Sequence, residues 1–250
     1  MSLAAAGGGE VLSLLAALAS RYGLSKGQVD QLGAILTAVA GNERAPTTVR
    51  EPVLALDVHL ADSLVALDLS VVREATRIAD VGAGAGFPSL PLAVALPDVE
   101  VRPVEGQARK CDFIEGVVAD TALANVEVIR ARVEQWQEGV GANDLVVARA
   151  VAPQPVVLEY AAPLLCVGGA LVDWRGRRDP EEERSAITAA EMLGLRLESI
   201  QRVQPYEGVR DHHLHVYLKV EQTPQRFPRR AGMARKKPLA ARDPAPRWGQ

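Results

Sequence analysis

The spacing of hydrophobic and polar positions along this chain of 250 residues changes close to residue 77. Residues 11–40 and 52–72 carry apolar side chains at helical intervals, with interruptions at Gly23 and Gly27. Beyond residue 77, short apolar runs alternate with helical segments. The pattern predicts a group of N-terminal helices followed by an α/β region.

The α/β region is predicted to form a doubly wound sheet of the Rossmann type with mostly parallel strands. Its strands are predicted near 77–81, 99–105, 125–130, 143–148, 169–174, 196–203 and 212–220, and its helices near 87–96, 107–123, 153–165 and 181–193. A short polar link joins the last two strands, which predicts a C-terminal antiparallel hairpin. We therefore expect a helical segment at 1–73, a core domain at 74–222 and a tail at 223–250.

One proline conflicts with this pattern. Pro103 lies inside the second predicted strand, where proline removes a donor from the hydrogen-bond ladder. Either the strand is bulged at this position or its pairing begins late.

The junction between the first predicted strand and its helix carries Gly82, Gly84 and Gly86, after Asp80 and before Phe87. Glycines let the backbone turn tightly and approach a ligand where a Cβ would collide. A dinucleotide fingerprint places its third glycine one residue later, where Phe87 stands, and the Lys-Ser/Thr pair of a phosphate-binding loop is missing. The spacing better suits an adenosyl ligand such as S-adenosylmethionine. An ordinary strand-to-helix turn is the alternative.

Charged residues end two later strands. Glu105 stands 19 residues after Gly86, where an acid can accept hydrogen bonds from a ribose diol. Arg149 follows the fourth strand, and a cation there could hold a substrate phosphate or an acidic group of the cofactor. The alternatives are a solvated strand end for Glu105 and a surface ion pair for Arg149.

The composition, 48% hydrophobic and 24% charged, is ordinary for a globular protein. No apolar stretch approaches the length of a membrane span, and the apolar segment 11–19 lacks the basic start of a signal peptide. Cys111 and Cys166 form neither a disulfide framework nor a zinc pattern. These features predict a cytoplasmic protein without a membrane partner or a bound metal.

The charge is distributed unevenly along the chain. Residues 224–250 hold six Arg, two Lys and one acid, a formal charge of +7, which leaves −10 on the other residues of a chain whose net charge is −3. A basic tail on an acidic body predicts a polyanionic partner, although a tail that only aids solubility is the alternative. We expect the tail to supply RNA affinity but no cofactor affinity, through the candidate residues Arg226, Arg229, Arg230, Arg235, Lys236 and Lys237.

Several motifs belong together. They are an H-x-x-D-S-L element that begins at His59, the glycine loop at 80–91, the segments 109–114 and 149–152, and a T-P-x-x-F-P-R-x-x-G element at 223–232. Together they resemble the RsmG/GidB family, the bacterial 16S ribosomal RNA guanine-N7 methyltransferases. The likeness runs from about residue 52 to residue 239.

The resemblance implies a class I methyltransferase fold, S-adenosylmethionine as cofactor and 16S rRNA or the small ribosomal subunit as partner. The implied reaction methylates N7 of a guanine in the 530-loop region. By position, the cofactor contacts would be Gly82, Phe87, Val133, Glu134 and Arg149. Arg149 and Arg175 are the candidate catalytic residues. Arg175 stands in Trp-Arg-Gly where the family usually has Leu-Lys-Gly, which keeps the cation but changes its shape.

Other functions stay open from the sequence. A methyltransferase of the same fold could act on another RNA or a small molecule, and a non-catalytic RNA-binding ribosome-assembly protein could retain the fold. Phe87 argues against an NAD-dependent oxidoreductase. His59, Asp62 and Ser63 could suggest a hydrolase triad, but a helix face packed on the core is the better interpretation. No protein partner can be inferred, and a monomer is favoured.

Overall fold

The computed structural model describes residues 8–239 and contains one seven-stranded sheet in the order β3-β2-β1-β4-β5-β7-β6. The strands are β1 (Arg77–Val81), β2 (Glu100–Glu105), β3 (Ile129–Arg130), β4 (Asn143–Arg149), β5 (Leu165–Arg175), β6 (Leu195–Val203) and β7 (His212–Lys219). The first five strands pair in parallel, whereas β7 runs antiparallel between β5 and β6. The predicted mostly parallel sheet with a C-terminal antiparallel hairpin is confirmed.

Helices precede the sheet and connect its strands. The longer ones are α1 (Gly8–Tyr22), α2 (Lys26–Gly41), α6 (Ser89–Ala95), α7 (Ala108–Thr121), α8 (Gln154–Ala161) and α9 (Pro180–Met192). Between α2 and β1 lie short turns of helix, namely α3 (Pro52–Ala55), a π-helical turn (Leu56–Ala61), α4 (Asp62–Leu64), a 3₁₀ turn (Val65–Asp68) and α5 (Ser70–Arg73). Another short helix, α10 (Met233–Lys236), lies in the tail. None of the helices within residues 8–239 is long and apolar enough to cross a membrane.

The third strand is much shorter than the predicted 125–130. Only Ile129 and Arg130 pair with β2, and a single bridge joins Val101 to Val126. Pro103 lies between that bridge and the point at Val104 where the ladder resumes. On its other edge β2 pairs with β1 without a break, and Pro103 stands opposite Asp80. The amide of Val101 donates towards the β3 side, to Asn125 O, and alternate residues of a strand point the same way, so the missing donor of Pro103 would also face that side. The interruption of the pairing there, and not a bulge or a late start of the strand, accommodates the proline.

Two apolar layers cover the two faces of the sheet. Alternate strand residues point to opposite faces, so Ile78 belongs to one layer and Ala79 to the other. The first layer packs α1, α2 and the turns at 52–73 against the sheet, and the second packs α8, α9 and α10. The bounds predicted for the three parts of the chain stay a prediction. The tail positions 240–250 and the first seven residues lie outside the described residues.

Candidate cofactor and substrate site

The three loop glycines adopt positive φ angles of 71° at Gly82, 63° at Gly84 and 88° at Gly86, which L side chains rarely adopt. A Cβ on Gly82 would lie 3.2 Å from a methyl group of Val151, and one on Gly86 would lie 2.5 Å from Leu90. Gly82 therefore lets the loop approach the exit of β4. Gly86 lets the start of α6 pack closely against the loop.

Glu105 is nearly buried at the carboxyl end of β2. Its Oε1 accepts the amide of Gln107 at 2.9 Å, and its Oε2 accepts the amide of Gly84 at 3.2 Å. Lys110 Nζ lies 3.7 Å from Oε2. A carboxylate offers about four lone pairs, so two acceptor positions stay free after these amides are bound.

A cavity of about 370 Å³ opens where β1, β2 and β4 end. Gly82, Glu105, Val133 and Glu134, four of the predicted cofactor contacts, line it. The rest of its wall is Val81, Val104, Gly106, Gln107, Lys110, Ala131, Arg132, Ala150, Val151, Tyr160, Gly232 and Arg235. Its size lies within the range of small-molecule sites.

Asp80 supports the loop from below. The side chain is only 1% exposed, and its Oδ2 accepts the amide of Ser89 at 3.2 Å. Within the described part of the chain, its Oδ1 has no hydrogen-bond partner. Burial raises the pKa of Asp80 to about 6, because the ionised carboxylate is destabilised away from water. A cation or a hydrogen-bond donor at its free oxygen would stabilise the ionised form.

A second cavity, of about 540 Å³, lies on the other side of the β4 exit. Ala150, in the left-handed conformation with φ 55°, lines both cavities. The second cavity is further lined by Thr47, Val49, Val58, His59, Asp62, Arg149, Trp174, Arg175, Gly176, Arg177 and His212. The two cavities therefore meet at the residue after β4.

Arg149 is fixed in this second cavity by groups from two other elements. Its Nη1 donates to Asp62 Oδ2 and to Val58 O, both at 2.8 Å. The other oxygen of Asp62 lies 3.0 Å from His212 Nδ1. A buried carboxylate thus orients the guanidinium of Arg149. The alternative interpretation of Arg149 as part of a surface ion pair does not describe this contact.

His59 and Phe87 stack with ring centroids 4.4 Å apart and an 8° angle between their planes, and the guanidinium of Arg149 lies 5.7 Å from the Phe87 centroid. His59 Nε2 lies 3.1 Å from the carbonyl of Val49, so the neutral ring carries its proton on Nε2. Burial, and then the positive charge of Arg149, lower the pKa of His59 to about 4. The ring is uncharged at neutral pH.

Arg175 reaches the second cavity from the end of β5. Its Nη1 donates to Ala152 O at 3.0 Å, and its Nη2 donates to Glu182. Its Nε lies 3.9 Å from Asp173 Oδ2. The guanidinium is therefore held on the wall of the cavity rather than free in solvent.

The six predicted RNA-binding cations occupy different environments. Arg229 forms several hydrogen bonds with Glu159 of α8, a side chain only 1% exposed, and Arg235 donates to Val151 O at 3.0 Å. Arg235 is nevertheless exposed, as are the other four, Arg226, Arg230, Lys236 and Lys237. Contact of any of them with RNA stays a prediction.

Some residues of the two cavities were not predicted from the sequence. Lys110, five residues after Glu105 in the first turn of α7, could have been found from that spacing. Tyr160 and Gly232 reach the cavity through tertiary packing, and no local pattern marks them. Ser63 donates to the carbonyl of His59 and not to its ring, which does not match a hydrolase triad.

Solved structures confirm the class I methyltransferase fold. An S-adenosylmethionine-dependent methyltransferase from Aquifex aeolicus is similar with a TM-score of 0.52 at 19% identity, over 66% of this chain and 93% of the other. A fibrillarin from Aeropyrum pernix, solved with S-adenosyl-L-methionine bound, is similar with a TM-score of 0.51 at 20% identity, over 63% of this chain and 73% of the other. At these identities the likeness concerns the fold.

Sequence relatives identify the family. The GidB family, described as rRNA small subunit methyltransferase G, matches residues 31–213. Two relatives are named ribosomal RNA small subunit methyltransferase G. The protein from Rubrobacter xylanophilus is 36% identical over 86% of this chain and 85% of the relative. The protein from Desulfitobacterium hafniense is 37% identical over 77% of this chain and 81% of the relative. The chain belongs to this family and is a methyltransferase. S-Adenosylmethionine is the methyl donor that the family and the fold imply.

Proposed function

We propose that this protein transfers a methyl group from S-adenosylmethionine to N7 of a guanine in the 530-loop region of 16S ribosomal RNA. The observation that carries the proposal is that the two cavities meet at Ala150. A donor in the first cavity and a base in the second would therefore face each other at the exit of β4. The names of the relatives support ribosomal RNA as the target, and the sequence motifs support the N7 position.

The first cavity fits the cofactor on the evidence of its own groups. Glu105 has free acceptor positions for a ribose diol, and Gly82 lines the cavity with bare backbone, closer to Val151 than a Cβ would comfortably allow. Val133 and Glu134 would line the adenine, and the unpartnered Oδ1 of Asp80 lies below the loop that would hold the amino-acid end. When bound, S-adenosylmethionine supplies an electrophilic methyl group on a sulfonium centre.

The second cavity suits the Hoogsteen edge of a guanine. Arg149, Arg175 and Arg177 provide donors there, and guanine presents the O6 acceptor beside N7 on this edge. The Asp62 carboxylate in the same cavity would offset the positive charge that N7 methylation develops on the purine. Arg149 and Arg175 would thus orient the base rather than exchange protons with it.

A general base is not needed, because N7 has a free lone pair and loses no proton when it is methylated. The site agrees with this requirement. Burial and the charge of Arg149 lower the pKa of His59 to about 4 and its Nδ1 is buried, so the ring is a weak base, and both oxygens of Asp62 are engaged by Arg149 and His212. Fixed geometry and charge would supply most of the catalysis.

RNA would approach through exposed cations of the tail. Arg226, Arg230, Lys236 and Lys237 are exposed on a segment that packs beside the first cavity, which places positive charge close to the site on a largely acidic chain. With 4% aromatic residues, recognition would rely on phosphate contacts and RNA shape more than on stacking.

Mapping of the modified nucleotide tests the proposal. Small subunits from cells that lack the gene are incubated with the protein and S-adenosylmethionine, and borohydride–aniline cleavage is then mapped by primer extension. We expect one enzyme-dependent stop in the 530 region. A stop elsewhere would indicate a different RNA target, and methylation only at a carbon or an exocyclic nitrogen would reject the N7 assignment.

Matched variants locate the reaction in the second cavity. Arg149→Lys keeps a positive charge beside Asp62 but loses the planar guanidinium, so the cleavage signal should fall strongly. Arg77→Lys, exposed at the amino end of β1 and far from the cavities in the sheet, serves as the control and should retain it. Cofactor binding without any turnover would instead favour a non-catalytic RNA-binding protein.

A further inference from the structure

The root of the C-terminal tail is fixed to the core by buried polar contacts. Lys219 Nζ donates to Leu193 O at 2.8 Å and also binds the hydroxyl of Thr223, which donates to the same carbonyl at 3.0 Å. Phe227 is buried in the apolar layer that contains α8. The chain that leaves β7 is therefore directed back over the domain rather than into solvent.

A buried ion pair holds the middle of the tail. Glu159 of α8 accepts the backbone amide of Arg229 at 3.1 Å and its Nε at 2.8 Å, and Arg229 Nη2 also donates to Lys237 O at 2.8 Å. A carboxylate this buried is stable only when it is paired, so the contact fixes the tail on α8. Ala234 of α10 is buried against the same layer.

The fixed segment forms part of the first cavity. The amide of Gly232, whose φ is 82°, donates to Glu134 Oε1 at 2.8 Å. Arg235 donates to Val151 O at 3.0 Å, and both tail residues line the cavity together with Tyr160. Glu134 is a further lining residue of this cavity, so the tail contributes to the same wall as the residues after β3.

We propose that the segment 227–237 is a wall of the S-adenosylmethionine cavity and that Arg235 is a cofactor-binding residue. The tail contacts Glu134 through Gly232, at the end of the cavity where the proposed function places adenine, and Arg235 lines the same cavity three residues later. A guanidinium can stack on a purine ring or donate to its nitrogens. The inference rests on that proposed function. It departs from the sequence-based expectation that the tail contributes nothing to cofactor affinity.

Calorimetry of S-adenosylhomocysteine binding to the full-length chain, without RNA, tests the inference. Arg235→Gln should weaken binding by roughly 2- to 30-fold, the range for one cation–π contact from an exposed site to one that the bound ligand desolvates. Arg235→Lys should give an intermediate loss, because it keeps the charge but not the plane. Lys236→Gln, a neighbouring exposed cation that is not among the lining residues, is the matched control and should bind as the wild type does.

Limited trypsin digestion gives a second readout of the same contact. Arg230 is exposed within the segment, so cleavage after it reports how firmly the tail is held. Saturating S-adenosylhomocysteine should slow this cleavage in the wild type and slow it much less in Arg235→Gln.

The outcomes separate the two proposals. If the wild type does not bind S-adenosylhomocysteine, the proposed function itself fails. If the wild type binds it, but Arg235→Gln binds equally well and the ligand gives no protection from trypsin, only the role of the tail is rejected. An equal loss of affinity in Lys236→Gln and Arg235→Gln would also reject it, because the effect would then be one of general charge.

Discussion

Removal of the Glu105 carboxylate should weaken cofactor binding without unfolding the protein. In the free protein the carboxylate accepts two backbone amides, from Gly84 and Gln107, beside an open cavity. In Glu105→Ala water can reach those amides, so the fold should tolerate the change. The ribose diol, in contrast, loses a charged acceptor inside a partly closed site.

The magnitude follows from the charge-assisted hydrogen bond that is lost. Such a bond contributes about 1.5–3 kcal/mol, which corresponds to a roughly 10- to 150-fold rise in the dissociation constant. Isothermal titration with S-adenosylhomocysteine measures it. Glu100→Ala, at the other end of β2 and paired there with Arg102 at 2.6 Å, removes the same side chain far from the cavity and should bind normally.

The 2′-deoxy analogue of the ligand makes the test specific to the diol. The wild type should bind this analogue more weakly than the parent, whereas Glu105→Ala should discriminate little between the two, because the acceptor is already gone. Equal losses for the analogue in both proteins would show that Glu105 does not bind the ribose. Unchanged affinity in a folded Glu105→Ala would refute the reasoning outright.

Three further predictions follow from the same structure. Gly82→Val combines a φ of 71° with a Cβ that would lie 3.2 Å from Val151, so calorimetry should detect little or no cofactor binding, with retained circular dichroism as the control. Burial raises the pKa of Asp173 to about 7, so its contribution to stability is lost as pH rises from about 4 to about 7. Denaturant unfolding should therefore show that Asp173→Asn loses less stability between pH 5 and pH 8 than the wild type, by roughly 2.5 kcal/mol. An equal loss in both proteins would contradict the burial argument. The third change replaces four exposed tail cations by Gln, namely Arg226, Arg230, Lys236 and Lys237. RNA binding should weaken and its log–log salt slope should fall by up to about 3, while cofactor affinity is retained. An unchanged slope would mean that these cations have no role in RNA binding.

The parts of the fold and site that depend on local spacing could be predicted from the sequence. The glycine loop and Glu105 follow directly from the strand–loop–helix pattern, and the structure brings Gly82 and Glu105 to one cavity. The sheet could be predicted because the strands are short apolar runs separated by helical segments. The length of β3 could not be predicted, because it depends on pairing with the neighbouring strand. The apolar pattern predicted a strand at 125–130, whereas only two residues of β3 pair with β2.

The tail shows why the rest could not be predicted. Arg229 and Arg235 carry the same charge as the cations around them, and only their contacts in the tertiary structure, with Glu159 and with Val151, distinguish them. The partner of Arg229 is Glu159, which stands 70 residues earlier in the chain. The same holds for Asp62, His212 and Arg149, which come from three separate elements and meet at the second cavity. Charge predicted a polyanionic partner but could not show which cations the fold itself uses.

The most direct test of the central claim is the identity of the methylated nucleoside. Small subunits from cells that lack the gene are incubated with the protein and S-adenosylmethionine carrying an isotopically labelled methyl group, and the digested ribosomal RNA is analysed by liquid chromatography and mass spectrometry. We expect the label to appear in N7-methylguanosine and Arg149→Lys to reduce it sharply. Label in a different methylated nucleoside, or no label with a wild-type protein that binds the cofactor, would contradict it.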